Sequence, residues 1–133
     1  MRRINFGVLL GLADFRTDTW FEALHASYIR KKYWKTQIGF SFPRINPNAG
    51  DYHPAIDVND NDFMQLIFAS RMIFPQAQLF LSTREQPEFR DKLLAAAATN
   101  TSAGSKTNPG GYTIDNSTGY NPIYKDWDIG LAQ

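Results

Sequence analysis

The sequence predicts an α/β fold built on a parallel sheet. Short apolar runs of strand length, INFGVLLGL, QIGFSFP and QLFLST, recur along the chain, and between them apolar residues return every three or four positions. Strands that alternate with helices at this pitch need crossovers, and right-handed crossovers bring successive strands in parallel. With 43% hydrophobic and 14% aromatic side chains in 133 residues, one domain of ordinary size has apolar surface enough for a core.

The run at residues 4–12 is nearly continuous in strand formers and punctuated by Gly7 and Gly11, the pattern of a buried strand. A helix is expected over residues 17–34, where Trp20, Phe21, Leu24, Tyr28 and Ile29 recur at helical spacing and Glu22, Arg30, Lys31 and Lys32 are left to face water. Thr19 followed three positions later by Glu22 fits a capping box. Residues 37–43 read as the second strand, ended by Pro43 and the turn-rich RINPNAGDYHP. Asn59 and Asp60 are capping residues ahead of DNDFMQLIFASRMIF, in which Phe63, Leu66, Ile67, Ser70 and Ile73 keep helical spacing as far as Pro75.

The third strand is expected at residues 78–83. Pro87 in a first-turn position, with Glu88 at the positive end of the helix dipole, opens a third helix through Phe89, Leu93, Leu94 and the alanines ending at Ala98. TNTSAG is the fourth strand, and an irregular tail follows with a short helical turn around residues 125–131.

The charge balance narrows the possible partners. Fourteen basic against 13 acidic side chains leave a net charge of +1, which gives no strong field to draw nucleic acid or an anionic membrane. The absence of cysteine removes disulfides, thiolate metal sites and thiol nucleophiles. No apolar run approaches the roughly 20 residues of a membrane span, and Met-Arg-Arg leads into a strand-like run, not a signal sequence, so a cytoplasmic location is expected. The glycine-rich TSAGSKTNPGGY is not a phosphate loop, because Ser105 and Asn100 stand where that motif needs glycines ahead of Lys106.

Two architectures satisfy this element order: an open doubly wound sheet and an arc of a (βα) barrel. In a barrel the site lies at the carboxyl ends of the strands. Those ends read LGLADFR, SFPRINP, LSTREQP and SAGSKTNPGG, three of which carry an arginine and three a hydroxyl. A convergent binding site and a set of caps and solvated loop residues both account for that polarity.

The blocks GVLLGLADFRTD, SFPRINPNAGDYHP, LSTREQPEFRD, SAGSKTNPGGY and YKDWD, in that order, resemble the carboxyl-terminal half of the radical S-adenosylmethionine tyrosine lyases. The YKDWD tail and the GSKT form of the loop are closest to the thiamine thiazole branch of that family. The resemblance implies that residues 1–112 form the later half of a TIM-type (βα) barrel, roughly its fifth to eighth strands. Residues 113–133 would be a carboxyl-terminal tail, shortened relative to the family.

It implies a chemistry as well. In such enzymes a [4Fe–4S] cluster reduces S-adenosylmethionine, and the resulting radical takes hydrogen from the amino group of L-tyrosine. Cα–Cβ cleavage then yields 2-iminoacetate (dehydroglycine) and 4-cresol, with thiazole synthase as the pathway partner. The family's CxxxCxxC cluster motif is absent from this cysteine-free chain, which is therefore expected to be inactive alone.

Site residues follow from the same match. Gly7, Leu9, Gly11 and Asp14 resemble the GxIxGxxE pattern that contacts the adenine of the cofactor, with Leu for Ile and Asp for Glu; ordinary strand packing is the alternative. Ser41 and Arg44 would line the cofactor or substrate pocket, unless Arg44 pairs with a loop carboxylate such as Asp51. Arg84 corresponds to the arginine that holds the substrate carboxylate in related lyases, a task suited to a planar two-pronged donor. Ser82, Thr83 and Ser102 would complete the polar end of the pocket, and the competing reading is an Arg84–Glu85 pair at a helix start.

His25 and His53 lack ligand spacing and indicate no metal site. Trp20, Tyr28, Tyr33 and Trp34 read as outer-helix packing, and Arg30 to Lys32 as a solvated helix end. Two other readings stay open: an independent small βα domain that binds an anionic metabolite, and a truncated gene product without activity. Four strands cut from a barrel would leave unpaired edges and an uncovered face, so poor solubility, self-association or a partly molten state is expected.

Overall fold

A computed structural model describes residues 2–45, 54–83 and 85–102. Strands and helices alternate as β1 (Arg3–Gly7), α1 (Phe15–Lys32), β2 (Gln37–Ser41), α2 (Asp60–Ile73), β3 (Gln78–Leu81), α3 (Pro87–Ala96) and β4 (Asn100–Thr101). The strands lie side by side in chain order, and every pairing is parallel. Because the order never reverses, right-handed crossovers carry the three helices to one face.

The register separates the two faces. Ile4 pairs with Ile38, and Phe6, Phe40 and Leu79 form a row beside them. With Leu81 they pack against Phe15 and Ala26 of α1, Phe63, Leu66 and Ile67 of α2, and Leu93 of α3. Phe40 is the hub, with the rings of Phe6, Phe42 and Phe74 centred 5.9, 6.1 and 5.0 Å away. Side chains alternate along a strand, so the rows Asn5–Gly39–Gln78 and Gly7–Ser41–Phe80–Asn100 occupy the opposite face. Apart from Gly39, all of these are exposed or half-buried. A parallel sheet ordinarily has both faces covered by apolar layers; among the described residues no layer covers this face, and apart from Phe80 its rows hold only polar residues and glycine.

Helix α1 departs from expectation at its start and in the face it buries. Its N-cap is Asp14, whose Oδ2 accepts from the Thr17 backbone N–H at 3.1 Å and from the Thr17 hydroxyl at 2.7 Å. Thr19 is thus inside the helix, where its hydroxyl donates to the Phe15 carbonyl at 2.6 Å, and no capping box forms with Glu22. The buried stripe is Phe15, Glu22 and Ala26. Trp20, Phe21, Leu24 and Tyr28, expected to face the core, are 62, 65, 49 and 57% exposed, while Glu22 is 8% exposed. The rings of Phe6 and Phe40 already fill the space above the sheet, so small residues seat the helix there.

Helix α2 starts where the capping signal put it, with Asn59 Oδ1 accepting from the backbone of Asn61 and Asp62 at 2.9 and 3.0 Å. Phe63, Leu66 and Ile67 are buried, but Ile73 is 57% exposed. The β1 ladder stops at Gly7, short of Leu12; one parallel bridge between Leu10 and Arg44 continues it. Strand β3 ends at Leu81, before the expected Thr83, and α3 ends at Ala96, before Ala98. Asp51, His53, Arg84, residues 103–112 of the glycine-rich loop and the tail at 113–133 lie outside the described residues.

Candidate functional site

Beyond the ladder, backbone bonds stitch the carboxyl ends of the strands into a rim. Val8 N–H donates to the Ser41 carbonyl at 3.3 Å, Leu10 to Pro43 at 2.8 Å, and Ile45 to Leu10 at 3.0 Å. The Ser102 N–H reaches the Leu81 carbonyl at 3.2 Å. Gly11 turns the chain away from β1 with φ 108°, and its carbonyl accepts from Ala55 at 2.9 Å. A Cβ on Gly11 would stand 3.1 Å from Pro54 Cβ and 3.4 Å from Ile45, so glycine is required by local packing as well as by φ.

The strand period sorts the predicted site residues into two groups. Gly7, Leu9 and Ser41 lie on the open face, and Ser82 and Ser102 follow on it two positions beyond Phe80 and Asn100. Ser41 Oγ donates to the Phe6 carbonyl and accepts from Asn5 Nδ2, both at 3.3 Å. A Cβ on Gly7 would meet only Ser41, at 3.0 Å from its Oγ, so the glycine keeps this strip of the face flat.

Arg44 and Thr83 belong to the helix layer. Thr83 is buried. Arg44 Nε donates to Glu85 Oε1 at 3.1 Å and Nη2 to Glu85 Oε2, while Nη1 reaches the Val58 carbonyl at 3.0 Å and Asp60 Oδ1 at 2.8 Å. Its Cζ sits between two rings, 4.9 Å from the centre of Phe63 and 5.4 Å from Phe89. Burial by itself would lower the Arg44 pKa, but the hydrogen bonds and charge of Glu85, and then of Asp60, raise it above its ordinary value. The carboxylates that Arg44 meets are therefore Glu85 and Asp60, and Glu85 gives both oxygens to it. This arginine clasps β2, α2 and the β3–α3 turn.

Asp14 has a role of its own as the α1 cap, and Thr17 holds its carboxyl below the usual range through hydrogen bonds from the hydroxyl and the backbone. His25 puts its ring edge-on to Phe6 at 5.2 Å. Among the described residues no group of three or more His, Asp or Glu is placed to hold a metal ion. None of the described helices is long and apolar enough to cross a membrane.

Asn5, Gln78 and Asn100 join the open face without having been singled out from sequence. Counting by twos from Gly7 and Ser41 along adjacent strands finds Asn5 and shows the face to be polar. Gln78 Oε1 is buried there with no hydrogen-bond partner, an acceptor that a bound donor would satisfy.

A parallel sheet with helices on one face and mostly polar side chains on the other, its strand ends joined by backbone hydrogen bonds, places the chain among the parallel α/β folds. Residues 41–127 match the Biotin and Thiamin Synthesis associated domain, and the chain belongs to that family. It is 36% identical to the 2-iminoacetate synthase of Salmonella typhimurium (strain LT2) and 35% identical to that of Escherichia coli (strain K12), in each case over 154 aligned residues. Those alignments take in 98% of this chain and 41% of each relative, so the chain spans well under half their length.

Among solved structures, the FeFe-hydrogenase maturase HydG from Carboxydothermus hydrogenoformans superposes with a TM-score of 0.77 at 29% identity, over 86% of this chain and 27% of that one. A second HydG structure gives 0.71 at 32% identity, over 79% and 24%. The resemblance carried by the five sequence blocks is borne out by these relatives.

Proposed function

We propose that the chain is the carboxyl-terminal part of a radical S-adenosylmethionine tyrosine lyase of the 2-iminoacetate synthase type, and that its open sheet face is a segment of a barrel's inner wall. One observation carries this reading: the parallel strands run in unreversed order, with one largely polar face that no described residue covers. A doubly wound sheet reverses its order and covers both faces, whereas a (βα) barrel keeps all helices outside and turns the other face inward. Residues 1–112 then supply the later strands, about five to eight, and 113–133 the tail.

The residues present fit one of the two groups that such lyases use. The flat strip at Gly7, with Leu9 and Ser41 on the same face, suits a purine-bearing ligand such as S-adenosylmethionine. That cofactor supplies the hydrogen-abstracting radical when bound in an assembled lyase. A [4Fe–4S] cluster does not fit, since the chain has no cysteine to ligate it, and its ligands belong to another segment or polypeptide.

In this reading Gly7 admits the adenine to the backbone, while Gly11 and Asp14 shape and cap the turn beneath it. Arg84 holds the L-tyrosine carboxylate with two parallel hydrogen bonds, and the hydroxyls of Ser82 and Ser102 line the same end. Arg44 and Thr83 support that end from the helix layer. The reaction served is Cα–Cβ cleavage of tyrosine to 2-iminoacetate and 4-cresol for the thiamine thiazole, in the cytoplasm, with thiazole synthase downstream. The chain alone is inactive.

The test is calorimetric titration of S-adenosylmethionine and of L-tyrosine into the chain combined with a polypeptide that carries a CxxxCxxC half-barrel. Binding of both, with tyrosine affinity lost in Arg84→Ala and cluster absorbance unchanged, is expected. Binding of an unrelated anion but of neither ligand would replace this reading with that of an independent anion-binding βα domain.

A further inference from the structure

On the helix side of the sheet, away from the open face, a groove of about 250 Å³ runs between α1 and α2. Its walls are aromatic: Phe15 and Trp20 of α1, Phe40 of β2 with Phe42 just beyond it, and Phe74 after α2. Glu22 also lines it, 8% exposed, and its Oε1 has no hydrogen-bond partner. A buried carboxyl oxygen without a donor costs on the order of 1–3 kcal/mol, which a bound donor would recover. Burial pushes the Glu22 carboxyl up from 4.5 to about 7, so removing competing water has left it poised at neutral pH.

The same rings already attract cations from outside. Arg16 Cζ lies 4.5 Å from the centre of the Phe15 ring, and Arg30 Cζ 5.2 Å from that of Phe74. At the mouth, Arg16 and Asp62 join α1 to α2 at 3.4 Å. Asp18 and His25 of α1 flank a shallower depression that Glu22 also lines. No cation in this set reaches Glu22.

We infer that the α1–α2 groove is a binding site for a small organic ammonium with an apolar or aromatic body, its cation paired with Glu22 and its body seated against the aromatic walls. Aromatic faces and one desolvated carboxylate are complementary to such a cation through both ring quadrupoles and charge-assisted hydrogen bonding. A neutral alcohol of the same shape would satisfy Oε1 but gain neither attraction, and an anion would be repelled. The inference is independent of the open sheet face and of the reaction proposed for it.

The experiment titrates 2-phenylethylamine and its neutral counterpart 2-phenylethanol into the full chain by calorimetry at pH 8. The amine is expected to bind at least about tenfold more tightly, and Glu22→Gln to reduce that preference to the small part that the aromatic walls supply. Lowering the pH from 8 to 6 protonates Glu22 and weakens the amine about tenfold. That dependence should vanish in Glu22→Gln, which separates it from the titration of Asp18, His25 and Asp62. Ala69→Phe fills the groove from an exposed position on α2 and should remove binding with Glu22 untouched. Equal affinities for amine and alcohol, an amine preference undiminished in Glu22→Gln, or no amine binding at millimolar concentration would overturn the assignment.

Discussion

Arg44 and Glu85, 41 positions apart, meet side by side at the end of the sheet, Nε to Oε1 at 3.1 Å and Nη2 to Oε2. The Glu85 side chain is 2% exposed and that of Arg44 15%, so the pair is shielded from water and each charge depends on the other. Through Nη1 the same guanidinium holds Asp60, the first residue of α2. One side chain thereby sets how α2 and the β3–α3 turn meet β2, and so where Ser82 emerges onto the open face.

Removing half of a buried pair strands the other charge, so Arg44→Ala should cost about 3–5 kcal/mol of unfolding free energy. Arg44→Lys should recover only part of it, because an ammonium cannot replace the planar fork between Phe63 and Phe89. Replacing both partners together, Arg44→Met with Glu85→Leu, should cost less than either single change to alanine. Urea denaturation of the four variants checks this. A cost below about 1 kcal/mol for Arg44→Ala would show that the clasp is not structural.

Glu22 makes stability depend on pH in a defined direction. Its folded pKa of about 7 stands above the ordinary 4.5, so folding favours the protonated form. The contribution is whole below about pH 4.5 and is lost as the pH rises through 7. Glu22→Gln should therefore melt higher than the parent at pH 8, by about 1–2 kcal/mol after allowing for water that enters through the groove mouth. At pH 4.5 the two should melt together. Parallel melting curves across that range would rule out a desolvated carboxyl.

The order and type of the elements were legible because local signals agreed: Asn59 caps α2, Pro87 opens α3, and the three apolar runs are of strand length. The face of α1 was not, since its sequence carries two apolar stripes. Choosing between them depends on Phe6 and Phe40, which lie far away in sequence and leave room for Ala26 but not Trp20. Asp14 lies in a cofactor-like motif and is also a helix cap, two roles that one residue type serves equally. Gly7 and Ser41 lie on the open face and Arg44 in the helix layer. The parity of Arg44 depends on where β2 ends, and no local pattern announces a partner 41 residues on.

The two glycines of that motif should behave differently. At Gly11, with φ 108°, alanine meets both backbone strain and the Pro54 side chain at 3.1 Å, so Gly11→Ala should destabilise by about 1–3 kcal/mol. At Gly7 the added methyl meets only Ser41, whose hydroxyl can rotate, so Gly7→Ala should melt within about 1 kcal/mol of the parent. If the open face receives S-adenosylmethionine, Gly7→Ala weakens that ligand without a matching loss of stability. Equal melting of the two variants would remove the distinction between a turn glycine and a face glycine.

The outer flank of α1 carries Phe21 and Leu24, 65 and 49% exposed, beside Trp20 and Tyr28. Within the described residues β1 pairs only with β2, so its other edge presents unpaired backbone groups close to this apolar flank. An unprotected strand edge beside exposed aromatic surface is an association site. Sedimentation velocity on the chain alone should show concentration-dependent association at roughly 100 μM, a range in which such surfaces find one another. Phe21→Glu with Leu24→Glu places two charges on the flank without touching the α1–α2 groove, and should shift the chain toward monomer while leaving its circular dichroism unchanged. A parent chain that stays monomeric at that concentration would mean that neither the flank nor the β1 edge drives association.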